Sequence, residues 1–415
     1  MSVLRDAAFR RLWAGTTISE LGSSVASIAT PLIAVQVLDA SDFMVSLLTA
    51  AAWLPWLIVG LPAGALIDRI TRRPVLLISD LAAAAVVISV PVAAAVGRLT
   101  IAQLLVVAML LGTASVFFTV AWTAYLPAMF ERDQLVTANS VLQGTASGTQ
   151  VAGPALGGAL VTAVSAVAGF VVDAVSFLVS AAFVWRIRRP ERRPEVSRDA
   201  ALGRDIAAGI RWLAQDRYLR NLAVHGATAN LVLTGMNSLV VVFLIRTVGL
   251  SSGGVGLLLA VTALGGVGAA TAAPWLARRF GSAVAVIGSK SFAGLAALLV
   301  PLTTARAGLI AFVAGMAGVG FGVVAGNVLA GSFRQAYCPP ELLGRVVTGM
   351  QFVNLGAIPL GAVLAGATAT VFGTRTAMAI MAAGYALSGL ILLLGPLRGR
   401  RELPGALVPA ASPRA

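Results

Sequence analysis

The sequence predicts an all-α membrane protein whose twelve spanning helices form two six-helix bundles. Three observations carry that expectation. The 415-residue chain is 58% hydrophobic and only 11% charged, whereas soluble domains are about a quarter charged. Apolar runs recur along its whole length, and about 18 or more such residues at ~1.5 Å each suffice to cross a hydrocarbon core. The arginines, finally, alternate by loop.

The spans are expected near 12–38, 44–67, 75–96, 101–126, 138–162, 165–186, 221–245, 252–276, 283–304, 307–333, 346–370 and 374–396. With the N-terminus in the cytoplasm, 25 arginines fall on its side, from Arg5, Arg10 and Arg11 through Arg132 to Arg414. Only Arg98, Arg246, Arg306 and Arg375 fall on the other. Positively charged loops stay on the cytoplasmic side, so both termini are expected there, in a plasma (inner) membrane. Losing one span would scramble the alternation.

The chain divides into a first bundle over 1–186, a central cytoplasmic loop over 187–220, a second bundle over 221–396 and a disordered cytoplasmic tail over 397–415. The loop's second part, "GRDIAAGIRWLAQDRYLR", spaces Ile206, Ile210 and Leu213 as one helical face. Such a helix either lies on the membrane surface or packs on the bundle. Charged loops repeat between the halves, "DRITRRP" against "ARRFGS" and "ERDQL" against "PPELLGR", at a spacing of about 210 residues, which implies duplicated six-helix units.

Composition excludes several classes. The net charge of +14 is spread over alternate loops and forms no single basic patch, so no nucleic-acid partner is expected. Cys338 is the one cysteine and His225 the one histidine, which leaves no disulfide, no metal cluster and no catalytic triad. "GSKS" (Gly288 to Ser291) has Ser289 where a phosphate loop needs glycine before the lysine. No cofactor, no metal and no enzymatic activity are expected. Nor does the N-terminus carry a short apolar core with a cleavage site.

Gly64, Asp68, Arg69, Arg72 and Arg73 in "GALIDRITRRP" resemble the loop between the second and third spans of the major facilitator superfamily, with Thr71 where the family has glycine. The resemblance implies a conformational latch on the cytoplasmic face. "GPALGG", holding Gly153, Pro154, Gly157 and Gly158, resembles the fifth-span motif of its exporting branches, a small-residue face with a proline bend. That phrase, "DAVSFLVSA", "ELLGRV" and "IPLGAVLAG" together look like the enterobactin-exporter-like subgroup, which also holds macrolide-efflux proteins.

In that family the first, fourth, seventh and tenth spans line a central cavity. The first carries Thr16, Glu20, Ser23, Ser24 and Ser27 at helical spacing; the fourth, Ser115, Thr119 and Thr123 beside Phe118 and Trp122. The seventh offers Asn230, Thr234, Asn237 and Ser238, with Met236, and the tenth Asn327. These are the candidate cavity residues.

An intramembrane acid is costly and hence a functional candidate. Glu20 is the candidate for proton coupling or cation recognition; a structural hydrogen bond to neighbouring serines is its plain alternative. Asp80, Asp173 and Lys290 are further buried-charge candidates, Asp173 as a structural hydrogen bond and Lys290 as a side chain snorkelling to lipid phosphates. The fourth span has no arginine, unlike many proton-driven exporters of the superfamily.

The function so implied is export of a small, lipophilic or natural-product-like molecule by alternating access, in exchange for protons. The expected partners are a small-molecule substrate, protons and membrane lipids, and the expected state is a monomer. An importer or facilitator of a small nutrient, or a non-transporting membrane sensor, is the alternative.

Overall fold

The computed structural model describes residues 5–67, 69–130, 132–187 and 202–405, and among these there is helix and no strand. The first half runs α1 (Ala7–Leu32), α2 (Asp42–Ile58), α3 (Gly60–Ile67), α4 (Arg72–Ala95), α5 (Ile101–Met129), α6 (Arg132–Ala163) and α7 (Ala166–Trp185). After α8 (Leu202–Gln215) come α9 (Arg217–Val242), α10 (Ser252–Phe280), α11 (Ser282–Ala297), α12 (Leu309–Tyr337), α13 (Pro340–Phe372) and α14 (Thr374–Leu393).

Ten of the described helices have both the length and the apolarity to span a membrane. α2 is apolar but 17 residues long, and continues after Val59 as α3. α6 has 32 residues, but Gln143, Thr145, Ser147, Thr149 and Gln150 dilute its apolar character. That composition keeps α6 out of the ten most apolar spans.

Two compact units divide the helices. The first comprises Met1–Ala200, Asn237–Val261 and Ala362–Thr374; the second comprises Ala201–Met236, Thr262–Gly361 and Arg375–Ala415. The ends of α9, α10 and α13 that lie toward the arginine-poor loops thus belong with the first seven helices.

Polar caps and small residues build the first unit. Asp6 accepts from the Ala8 and Phe9 amides at 2.7 and 3.0 Å and starts α1. α1 then packs closely on α7. A Cβ on Gly22 would stand 2.1 Å from the Ser176 hydroxyl, so only a bare backbone allows that approach. At the arginine-rich end Phe9, Leu12, Leu76, Tyr125 and Ile187 close a core, with Phe9 edge-on to Phe130.

In the second unit, α8 docks on the start of α13, because Gly209 lies directly against the Arg345 carbonyl. Leu213 is buried there, while Ile210 stays exposed; Ile206 is among side chains not described. The tail expected to be disordered from 397 instead docks as far as Leu403. Leu397 is fully buried, and Glu402 accepts from the Ser282 amide at 3.0 Å and its hydroxyl at 2.5 Å, capping α11. Residues 406–415 lie outside the described residues.

The repeat is visible in backbone detail. α1 ends in a π-helical turn, Ile33–Val37, and α9 in another, Phe243–Thr247. Each is followed by a left-handed residue, Asp39 (φ 44°) or Gly249 (φ 82°), and by a serine, Ser41 or Ser251, that caps the next helix.

Candidate functional site

Glu20 stands exposed on α1 beside a cavity of about 930 Å³ in the first unit. The cavity is walled by Trp122 of α5 and by Asn139, Gln143, Gly144 and Ser147 of α6. Trp122 stacks on Phe118, 6.3 Å between centroids and 9° between planes. That rigid aromatic face adjoins amides and hydroxyls. The Thr149 hydroxyl reaches Glu20 Oε2 at 3.5 Å, a long contact that leaves the carboxylate available. Trp13 Nε1 donates to Thr145 Oγ1 at 2.9 Å and fixes α1 against α6.

The wall contributed by α6 is not among the cavity residues expected from the sequence. A local signal for it exists all the same. Asn139, Gln143 and Ser147 recur every four residues, the same pattern that marks α1.

The polar residues of α1 point in different directions. Ser23 turns away to donate to Asp173 Oδ1 at 3.1 Å, and Ser24 packs on Gly153, whose Cβ would stand 2.2 Å from the serine Cβ. Thr16 is buried and donates to its own helix at Leu12, while Ser27 is exposed and donates to Ser24. On α5, Ser115 and Thr123 are exposed and Thr119 is half-buried. Asn237 is exposed in the first unit, whereas Asn230, Thr234 and Asn327 belong to the second.

Asp173 and Asp80 differ in their surroundings. Asp173 is fully buried on α7, with hydroxyls of Ser23 and Ser176 on Oδ1. Asp80 is 1% exposed on α4, and its Oδ2 has no hydrogen-bond partner among the described residues. His225 is buried on α9; its Nδ1 lies 3.0 Å from the Ser388 carbonyl and must donate to it. Lys290 Nζ donates to Asn327 Oδ1 at 2.6 Å.

Of the loop cluster, Asp68 lies outside the described residues. Gly64 is half-buried, and Arg69 is exposed in the turn. Arg72 lies half-buried in the first turn of α4. Arg73 caps α7, donating to the Val184 and Trp185 carbonyls at 3.2 and 2.5 Å, where a cation also complements the helix dipole. In α6, Gly157 packs on Val25 of α1, and Gly158 meets Gly256 of α10, its Cβ position 2.7 Å from that Cα. Pro154 offers its carbonyl to the same Gly256 contact.

The arginine-poor end holds a set of reciprocal contacts within the first unit. Arg246 donates to Asp42 Oδ1 at 2.8 Å and to Asp39 Oδ1 at 2.9 Å. Gln36, the counterpart of Arg246 in the repeat, accepts from Ser252, the counterpart of Asp42, at 3.2 Å. Ser238 donates to Ser46 at 3.3 Å, and Thr374 to Asp42. Among the described residues no group of His, Cys, Asp or Glu side chains could hold a metal.

A family profile described as "transmembrane secretion effector" matches residues 1–406. The multidrug efflux pump Tap of Mycolicibacterium fortuitum is 28% identical over 388 residues, covering 90% of this chain and 92% of that one. The Tap pump of Mycobacterium tuberculosis is 26% identical over 410 residues, 94% of each. Among solved structures, an inward-facing bacterial homologue of the human lysosomal transporter Spinster superposes with TM-score 0.74 at 16% identity, covering 94% of this chain and 97% of that one. An inward-facing bacterial homologue of the iron transporter ferroportin gives TM-score 0.74 at 16% identity, over 96% and 100%. These structures share the fold. With its multi-pass helical architecture, the chain belongs to the transmembrane secretion effector family of the major facilitator superfamily, a family of transporters and not of enzymes.

Proposed function

We propose that this transporter exports a small, lipophilic or natural-product-like molecule by alternating access, with protons as the exchanged ion. One observation carries the reading: the intramembrane carboxylate of Glu20 borders a cavity of about 930 Å³ that joins the Trp122 indole to the amides and hydroxyls of α6. An aromatic wall with a few convergent polar groups suits an amphipathic ligand. A carboxyl group there can exchange a proton as its surroundings alternate between wet and dry.

The small-residue motif Gly153 to Gly158 supports the outward direction, as do relatives named multidrug efflux pumps. With both termini in the cytoplasm, the loop cluster at Gly64 and Asp68 to Arg73 is the inner latch. The Arg246 contacts with Asp39 and Asp42 then form the outer one.

The test is accumulation of lipophilic dyes and antibiotics in cells expressing the wild type or Glu20→Gln, with and without a protonophore. Wild-type cells are expected to hold less of at least one compound, and the difference should vanish with the protonophore and in Glu20→Gln. Reduced accumulation that persists in Glu20→Gln removes the proton role of Glu20. Unaltered accumulation of every compound removes export of this ligand class.

A further inference from the structure

Lys290 is the one lysine of a chain that otherwise uses arginine, and it lies within α11. The face of α11 built for lipid carries Val284, Phe292 and Leu295, between 44% and 62% exposed. Lys290 is five residues from Leu295, roughly 140° round the helix at 3.6 residues per turn. Its side chain therefore leaves on the far side, toward α12.

There the two helices close on a glycine seam. Gly318, Gly322 and Gly326 of α12 receive Ala296, then Ser289 with Ala293, then Lys290. A Cβ on Gly326 would stand 2.6 Å from Lys290 Cε and 2.8 Å from Cδ. The absent side chain is what lets the lysine stem cross α12. Beyond it, Nζ meets Asn327 Oδ1 at 2.6 Å.

Asn327 is exposed, yet it is one residue, roughly 100°, from the apolar outer face marked by Val328 and Ile310. It is equally one residue from the seam. Arg334 follows seven residues on, the same face of α12, half-buried and donating to Met350 Sδ at 3.6 Å. Among the described residues no carboxylate pairs with Lys290 or Arg334. Two cations so placed in a low-dielectric region favour a negative partner strongly.

We propose that Lys290, Asn327 and Arg334 form a subsite for the anionic group, a carboxylate or phosphate, of a transported molecule. Nζ has two donors left after Asn327, Asn327 adds its amide donors, and the Arg334 fork suits a planar anion. That the anion belongs to cargo rests on the export reading; an anionic lipid headgroup offers the same chemistry.

The experiment uses the purified full chain in nanodiscs of zwitterionic lipid. It is titrated with a rhodamine bearing a free carboxylate and, separately, with its methyl ester, read by fluorescence anisotropy. Lys290→Met and Gly326→Ala, each with wild-type thermal stability, are expected to weaken the carboxylate dye about tenfold and the ester by less than about twofold. Equal losses for both dyes, or no loss, overturn the subsite. Adding anionic lipid should leave the carboxylate dye's affinity unchanged; a Lys290-dependent loss assigns the site to headgroups and overturns the cargo assignment. Ester binding without any preference for the acid counts against the subsite and leaves export standing. Dye selectivity without efflux from cells counts against export and leaves the anion subsite standing.

Discussion

Asp173 and Glu20 are both acids within spans, but their surroundings differ. Asp173 Oδ1 collects hydroxyls from α1 and α7 and is sealed from water. Glu20 has a single long contact and a cavity in front of it. Ser23→Ala is expected to lower stability by about 0.6 kcal/mol, the size typical of an interhelical hydrogen bond in a membrane, with export unaffected. Asp173→Ala should cost more, because it also opens a void against Ser176. Thermal unfolding of the purified variants checks both; a Ser23→Ala protein that unfolds normally but cannot transport would move Ser23 to the ligand. For Glu20 the order reverses, with Glu20→Gln keeping the wild-type melting temperature and losing coupling.

The elements carry two devices that no single residue makes. At the arginine-poor end the paired π turns present Arg246 and Gln36 to each other's following helix start, at Asp42 and Ser252. The arm to Asp39, a side chain 97% exposed, contributes little; the arm to Asp42, 18% exposed, holds the contact. In a Cys338→Ser background, cysteines at positions 36 and 252 are expected to cross-link readily, and Arg246→Ala to reduce the yield several-fold. An unchanged yield would relieve Arg246 of any latch role. At the other end Glu402 caps α11, and the Ser282 hydroxyl first, then its amide, hold that carboxyl below the usual range. A lowered folded value means stability is present above the ordinary value near 4.5 and is lost as pH falls through the folded one. Exchange of the Ser282 to Ala285 amides should therefore quicken on acidification toward pH ~4, and Glu402→Gln should quicken it already at neutral pH.

Across the molecule, span positions and the internal repeat are legible in the sequence because hydrocarbon length and loop charge leave few alternatives. The site is legible only in part. A polar stripe says that a helix face avoids lipid, not what it meets: Glu20 meets a cavity, Ser23 an aspartate and Ser24 a glycine of α6. The directions of Lys290 and Arg246 depend on Gly326 and on Asp39 and Asp42, partners remote in the chain, so no local pattern announces them. The proposed exchange of cargo for protons is tested in proteoliposomes holding the purified chain and a lipophilic fluorescent dye under an imposed proton gradient. Dye is expected to move opposite to the proton gradient, with matching alkalinisation of the proton-rich side, both lost in Glu20→Gln. Dye movement of equal rate without any gradient, or in the direction of the protons, would contradict proton-driven export.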